Sequence, residues 1–376
     1  MKVLVTGGAG FIGSHTVDLL LEKGYHVKVL DMLQPRVHPF GKPKYMGPEV
    51  EFIQGDVADK NVLSKAMEGV EGIFHLAAYQ DYMTDFSNFI RTNTLSTALF
   101  LEIIVEKKLN IKKIVLASSQ SVYGEGKYNC KDHGIQYPDS RSIMQLENSD
   151  WEMYCPQSGC KKYLEPVLID EAVTNPFTAY GISKEALERL AAKLGKRYSI
   201  PTVSMRYSIV QGPRNSFFNA YSGVCRIFTL RLINDKSPVI YEDGKQLRDY
   251  VHVYDVASAN VLAFEKNECD YSALNVGGLK GTNLIDYTDT LIKVSGKNIK
   301  PMVPGYYRYG DTRHTVSSSE KLKKLGWKNK YNLEDIFKDY LKWVYEQPDI
   351  KDRYEEVETI MKNQNILRKS KSSLSI

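Results

Sequence analysis

Residues Thr6-Gly7-Gly8-Ala9-Gly10-Phe11-Ile12-Gly13 follow directly on an apolar strand, Lys2–Thr6, and lead into a helix-forming stretch, Ile12–Lys23. Glycines in a G-x-x-G-x-x-G pattern let a chain turn tightly from strand to helix while its backbone approaches an anion at the helix N-terminus. A run of glycines alone is often an ordinary turn. Placed between strand and helix, this one reads as the first βα unit of a parallel α/β fold, with Gly7, Gly10, Phe11, Ile12 and Gly13 against a pyrophosphate.

The alternation continues. Strands read at His26–Leu30, Val50–Gln54, Gly72–Leu76, Lys113–Ala117 and Thr202–Tyr207, with helices at Lys60–Met67, Thr92–Lys107 and Thr178–Tyr198. The last helix carries Ile182, Ala186, Leu190 and Leu194 on one apolar stripe. Apolar strands alternating with helices predict an α/β, Rossmann-type doubly wound parallel sheet over residues 1–207. Beyond residue 208 the pattern weakens, and 208–350 reads as a smaller mixed α/β substrate-binding domain, with 245–265 returning to the first and a helix at Asn332–Tyr345. Residues 351–376 are a C-terminal extension whose basic, serine-rich end from Ile366 is expected to be frayed. Segment 127–172 interrupts the scheme as an insert far longer than an ordinary loop.

The formal charge of +5 over 376 residues is small, and the basic residues are scattered. That argues against a nucleic-acid surface and suits an anionic small molecule. No apolar run reaches the length that spans a bilayer, and Met1 runs straight into the first strand, so no membrane or leader segment is expected. Five cysteines fit a reducing compartment, and the expected location is cytoplasmic.

Asp31 closes the second strand, where a carboxylate accepts hydrogen bonds from an adenosine ribose and repels a 2′-phosphate, which favours NAD over NADP; nearby Arg36 is the one dissenting cation. Asp56 and Val57 follow the third strand. Asp56 either receives the adenine amino group or caps the next helix. His75 ends the fourth strand as a packed residue, and Leu76, Ala77 and Ala78 let the backbone lie against the cofactor. Ser119 follows the fifth strand. Tyr180 and Lys184, four apart on one helix face, can reach a single ligand together. An ammonium beside a phenol favours the phenolate, which makes Tyr180 a base for hydride chemistry on a hydroxyl, with Ser119 bonded to the same oxygen.

These motifs, with the HLAA stretch at His75–Ala78, Ser119-x-x-Val122-Tyr123-Gly124, Tyr180-x-x-x-Lys184, Arg206-Tyr207, Gly212-Pro213-Arg214, Gly244–Val253 and Asn275-Val-Gly-Gly278, resemble the extended short-chain dehydrogenase/reductases of the NAD-dependent nucleotide-sugar epimerase/dehydratase family. The resemblance implies that Ser119, Tyr180 and Lys184 are catalytic, and that Arg248 and Arg308 bind a substrate diphosphate. Family dehydratases usually carry an Asp-Glu pair where this chain has Gln120 and Ser121. Many members have Asn at the position of Ile209, so sugar contacts would shift to Gln211, Asn215 or Asn219. Tyr79, Tyr82 and Phe86 offer an apolar wall for a hexose or belong to the core. Arg248 has a bland reading too, a surface ion pair with Asp249 or Asp243, and Asp255 reads as the cap of helix Val256–Phe264.

The implied activity is epimerisation of a nucleotide-diphosphate hexose at C4 through a 4-keto intermediate, and the insert and Tyr207–Gln211 most resemble the deoxyhexose 4-epimerases. Net NAD(H)-dependent oxidoreduction, 4,6-dehydration and a non-catalytic NAD-binding regulator are the alternatives. Family members commonly form homodimers, here through Thr92–Lys107 and Thr178–Tyr198. Cys130, His133, Cys155 and Cys160 in the insert could ligate a structural zinc, although Ser158 stands where a second C-x-x-C cysteine would be expected, so a wider knuckle and a decayed site both stay open.

Overall fold

In the computed structural model, which describes residues 1–81, 84–216, 223–278, 280–348 and 350–371, seven parallel strands form the central sheet. They are β1 (Lys2–Thr6), β2 (His26–Asp31), β3 (Glu51–Gln54), β4 (Gly72–His75), β5 (Lys113–Ser119), Thr202–Tyr207 and Ser272–Val276. Their order across the sheet is Ser272–Val276, Thr202–Tyr207, β5, β4, β1, β2, β3, which reverses direction between β1 and β4 and opens a crevice there. Alternate residues feed opposite cores. Val3, Val5, Val29 and Val115 pack on one face against the helix Val253–Glu265 and α1 (Phe11–Glu22), whereas Leu4, Ile73, Ile114 and Leu116 pack on the other against the helices Ser96–Lys107 and Ala179–Arg197. That two-sided burial is why these strands read as almost unbroken apolar runs.

Three expectations change. The helix Ala179–Arg197 does not turn the Ile182 stripe inward: Ile182 is 47% exposed, and the buried face carries Ser183, Lys184, Leu187, Glu188 and Ala191. The helix expected from Thr92 begins as a π-helical segment, Ile90–Leu95, before the α-helix Ser96–Lys107. The return to the main sheet reaches past residue 265, because Ser272–Val276 becomes its edge strand.

A smaller lobe is built on the helices Val224–Ile233, Leu284–Ser295 and Leu333–Tyr345, whose core includes Phe228, Tyr287 and Phe337. Strands Ile209–Gln211, Leu247–His252, Gly281–Asn283 and His314–Thr315 form its sheet. The insert is a three-stranded antiparallel patch, Gly134–Gln136, Tyr128–Cys130 and Glu165–Pro166. The C-terminal end is ordered further than its composition suggests. Leu367–Lys369 pairs antiparallel with Tyr306–Arg308 because Leu367 is buried with Val357 and Met361 of the helix Tyr354–Asn363. No helix among the described residues is long and apolar enough to cross a membrane.

Candidate active site

A cleft of about 1930 Å³ runs from the glycine turn across the ends of the strands to the smaller lobe. It is about twice the upper range for a single drug-sized ligand, which is room for a dinucleotide and a second molecule. At one end Gly7 has φ +67°, and a Cβ there would meet the Ala77 backbone at 2.7 Å; a Cβ on Gly13 would lie 2.0 Å from the Gly7 carbonyl oxygen. Only glycine fits either place. No side chain caps the first turn of α1, so its N–H groups face the cleft, which suits a pyrophosphate. Phe11, Ile12, Val57, Leu76, Ala77 and Ala78 line the same end.

Asp31 is buried at the tip of β2, where its two carboxylate oxygens accept from Ala9 N at 3.0 Å and Leu33 N at 2.9 Å. The carboxylate therefore braces the glycine turn, and each oxygen keeps capacity for a further donor. Arg36, the possible 2′-phosphate ligand, is turned onto Asp81. Asp56 accepts from Ala58 N at 2.8 Å and pairs with Arg91 at 2.6 Å. The cap of the helix Lys60–Ala66 is Asp59, so the alternative reading of Asp56 as that cap does not hold. His75 is packed, its ring between Thr6 Oγ1 and Ser96 Oγ at 2.8 Å each, and burial drives its pKa down to about 3, aided by the Lys184 charge.

Ser119, Tyr180 and Lys184 meet where β5 faces the helix Ala179–Arg197. Thr178 caps that helix by accepting from Gly181 N, which fixes Tyr180 in its first turn. The Ser119 hydroxyl lines the cleft beside the Tyr180 phenol, donating to Ser121 Oγ at 3.1 Å and accepting from Ser121 N at 3.1 Å. Lys184 donates to the Ala117 carbonyl at 2.7 Å, and its ammonium lies 5.6 Å from the centre of the Tyr180 ring. Burial pushes Tyr180 up to about 12, against the effect of the nearby Ser119 hydroxyl, and pushes Lys184 down to about 7, against the pull of Glu188. Behind them runs a buried polar chain: Ser118 donates to Glu188, Glu188 pairs with Arg206 at 2.7 Å, Arg206 donates to Tyr123 at 2.9 Å, and Tyr123 donates to Asn275 at 2.5 Å. Every polar member has a partner, so the chain can fix β5 against its neighbours.

At the far end Arg248 lines the cleft. Its guanidinium donates to the carbonyls of Leu247 at 3.0 Å, Arg313 at 3.1 Å and Thr312 at 2.7 Å. The bland reading of Arg248 fails, since Asp249 accepts from Ser208, Gly278 and Ser317, while Asp243 pairs with Arg313. Arg248 thus donates to three carbonyls rather than to a paired carboxylate, with the buried Glu125 near enough to interact with its charge. Arg308 also lines it, paired with Asp311 at 2.8 Å and 5.5 Å from the Tyr241 ring centre.

Gln211 does not join them. It is buried under the cleft floor, accepting from Tyr287 at 2.9 Å, because Gln211 sits on the inward side of Ile209–Gln211. Asn215 reaches the cleft, and Asn219 and Tyr82 lie outside the described residues. Of the proposed apolar wall, Phe86 lines the cleft, whereas the Tyr79 hydroxyl is engaged by Asp85 at 2.5 Å. Asp255 does not cap its helix. His252 does, and Asp255 accepts from Lys330 N and Tyr331 N. The sequence reading missed Ile366 and Arg368, which line the cleft from the C-terminal strand. The apolar pair Ile366-Leu367 ahead of a basic run carries no period-two alternation that would have marked a strand.

In the insert, donor atoms of Cys130, His133, Cys155 and Cys160 all lie within 4.8 Å of one another.

The sequence pattern of the NAD dependent epimerase/dehydratase family matches residues 3–142 and 156–277. The dTDP-L-rhamnose 4-epimerase of Burkholderia thailandensis is 31% identical over 358 residues, covering 93% of this chain and 96% of its own. The UDP-glucose 4-epimerase of Lacticaseibacillus casei is 31% identical, covering 93% and 98%. Among solved structures, the Thermotoga maritima UDP-glucose 4-epimerase with UDP-glucose superposes with a TM-score of 0.75 at 28% identity, covering 92% of this chain and 99% of that one. The glycine turn, Tyr180 facing the cleft beside the buried Lys184, and this likeness along nearly the whole length lead to one conclusion: the chain belongs to the NAD-dependent epimerase/dehydratase family.

Proposed function

We propose that the protein is an NAD-dependent 4-epimerase of a nucleoside-diphosphate hexose. The observation that carries this is a single cleft with a glycine turn at one end, the Ser119–Tyr180–Lys184 group at its centre and the carbonyl-seated Arg248 guanidinium at the other end. NAD supplies reversible hydride acceptance, so the sugar can be oxidised to a 4-ketone and reduced on its other face with no net redox change.

The residues divide the remaining work. Gly7, Gly10 and Gly13 with Phe11 and Ile12 seat the pyrophosphate, Asp31 takes the adenosine ribose, and Asp56 and Val57 flank the adenine. Leu76, Ala77 and Ala78 give the cofactor a smooth floor. Tyr180 removes the proton from the 4-hydroxyl and returns it, Ser119 orients that oxygen, and Lys184 holds positive charge beside the phenol. Arg248, with Arg308, binds the diphosphate, for which a planar guanidinium is suited. Gln120 and Ser121 offer no acid–base pair, which disfavours dehydration.

Exposed Leu95, Val105 and Ile182 on the helices beside β4 and β5 favour a homodimer through that face, and the five free cysteines favour a cytosolic home. The tetrad of the insert has the donor set of a structural zinc.

The test is a panel of UDP- and dTDP-hexoses followed by proton NMR and by absorbance at 340 nm. A changed coupling at H4 without accumulating NADH is expected, and Tyr180→Phe should remove it while the circular dichroism stays the same. Lasting NADH formation, or full turnover by Tyr180→Phe, would refute the assignment.

A further inference from the structure

We propose that Cys130, His133, Cys155 and Cys160 hold one zinc ion that fastens the insert against the wall of the substrate cleft. Cys130 Sγ lies 3.6 Å from His133 Nδ1 and 4.0 Å from Cys160 Sγ, and Cys155 Sγ lies 3.4 Å from His133 Nδ1. Tetrahedral zinc with bonds of ~2.3 Å to sulfur and ~2.0 Å to nitrogen sets sulfur–sulfur edges near ~3.8 Å and sulfur–nitrogen edges near ~3.5 Å. The spacing fits a shared ion. It does not fit a disulfide, whose sulfurs stand ~2.05 Å apart, and all five cysteines are free.

The surroundings are those of ligand sulfurs. Cys130 and Cys155 are buried while His133 is exposed, and both sulfurs converge on the His133 Nδ1. His133 reaches in from the turn between Tyr128–Cys130 and Gly134–Gln136, which brings ligands from two stretches of chain to one point.

The competing reading is that the cysteines act only as small apolar core residues. Against it stands the size of that core. Besides the two buried cysteines it contains only Tyr128, Met153 and Leu164, and the patch has strands of three, three and two residues. So small a core needs a staple. Zinc entering the tetrad would tie the Cys130–His133 turn to the Cys155–Cys160 stretch, adding to the Gln157–Gln136 and Lys162–Asp132 contacts between them.

The insert also reaches the cleft. Tyr128, two residues before Cys130, accepts from His314 N at 3.2 Å through its hydroxyl. Arg141 pairs with Glu242 at 2.8 Å and donates to the Asp311 carbonyl at 2.9 Å. Both contacts hold the segment whose Thr312 and Arg313 carbonyls seat Arg248. Zinc is thus a positioning element for the diphosphate end, an effect that rests on the proposed role of Arg248; the metal content does not.

The whole chain, purified from zinc-supplemented cells and washed with a weak chelator, should contain about one zinc by atomic emission. Mercurial attack on the thiols should release it to a chromogenic chelator. Cys155→Ser and the milder Cys160→Ser, at a partly exposed position, should each lose at least nine-tenths of the metal and melt at lower temperature, whereas Cys225→Ser should keep it. Less than half an equivalent in the native chain, or a Cys130–Cys160 disulfide in unreduced protein, overturns the site. Zinc-free protein should bind UDP or dTDP at least fivefold more weakly by calorimetry, and unchanged affinity overturns the link to the cleft while leaving the metal content to be judged alone.

Discussion

Lys184 shares its ammonium between strand β5 and Tyr180, donating to the Ala117 carbonyl while lying 5.6 Å from the tyrosine ring centre. Burial holds Tyr180 near 12 and Lys184 near 7. Bringing the phenol down to a working pKa near 7 takes a differential interaction of ~7 kcal/mol, since each unit is ~1.4 kcal/mol. In the proposed mechanism the Lys184 cation would act together with the positive nicotinamide ring of bound NAD. Lys184→Met should lower kcat/KM at least 100-fold at pH 7 and move the acidic limb of its pH profile upward. A limb that stays in place would mean that Lys184 does not act on Tyr180.

Gly13→Ala places a methyl group 2.0 Å from the Gly7 carbonyl oxygen, a contact that cannot exist without moving the turn. Loss of at least ~100-fold in NAD affinity is expected, as small-to-large changes at a close-packed backbone cost several kcal/mol. Native mass spectrometry of the purified protein would read the retained dinucleotide directly.

Arg248→Lys keeps the charge and loses the planar fork that also spans three carbonyls. Charge-assisted hydrogen bonds of ~1.5–3 kcal/mol predict a KM for nucleotide sugar raised ~10- to 100-fold, with kcat changed far less. Steady-state kinetics separates this from a general loss of fold, which would lower the active fraction at unchanged KM.

His15 is buried, bonded to the Pro213 carbonyl at 2.9 Å, and burial drives its pKa from 6.5 down to about 3. Below pH 6.5 the unfolded chain takes up a proton that the folded chain refuses until about pH 3, so the stability contribution is present above 6.5 and is lost as pH falls. Between pH 7 and pH 5 this single group contributes a loss of ~2 kcal/mol. His15→Gln, which can still donate to Pro213, should flatten the pH dependence of chemical denaturation by about that much.

Deleting residues after Asn363 removes the strand that pairs with Tyr306–Arg308 and takes Ile366 and Arg368 from the cleft wall. Sugar-nucleotide KM should rise several-fold, because Arg308 loses its strand partner, while NAD binding at the far end stays unchanged. Isothermal titration with each ligand separately would distinguish the two.

The strand–helix alternation was legible because the inner strands are covered on both faces and rich in apolar residues: Lys2–Thr6 and Thr202–Tyr207 were bounded to the residue, whereas the edge strand Glu51–Gln54 has exposed ends. The helix carrying Tyr180 was legible in extent and misread in orientation. Its buried face holds Ser183, Lys184 and Glu188, polar groups that the site requires, so hydropathy pointed to Ile182 on the solvent side. Gln211 was misplaced for a related reason, since a glutamine in a short strand does not declare whether it faces a ligand or a tyrosine hydroxyl. The C-terminal strand was illegible in its basic composition, where one buried leucine among Arg368, Lys369 and Lys371 decides the pairing. Asp255 was read from position alone, and its true partners lie in a distant loop.

Because the edge strand Ser272–Val276 comes after the first half of the smaller lobe, a nascent chain cannot complete its sheet until much of that lobe has left the ribosome. The helix that covers α1, Val253–Glu265, emerges only shortly before it. The glycine turn is thus among the first segments synthesised and among the last to be sealed, and the newborn protein must wait for distant sequence before it can hold its dinucleotide.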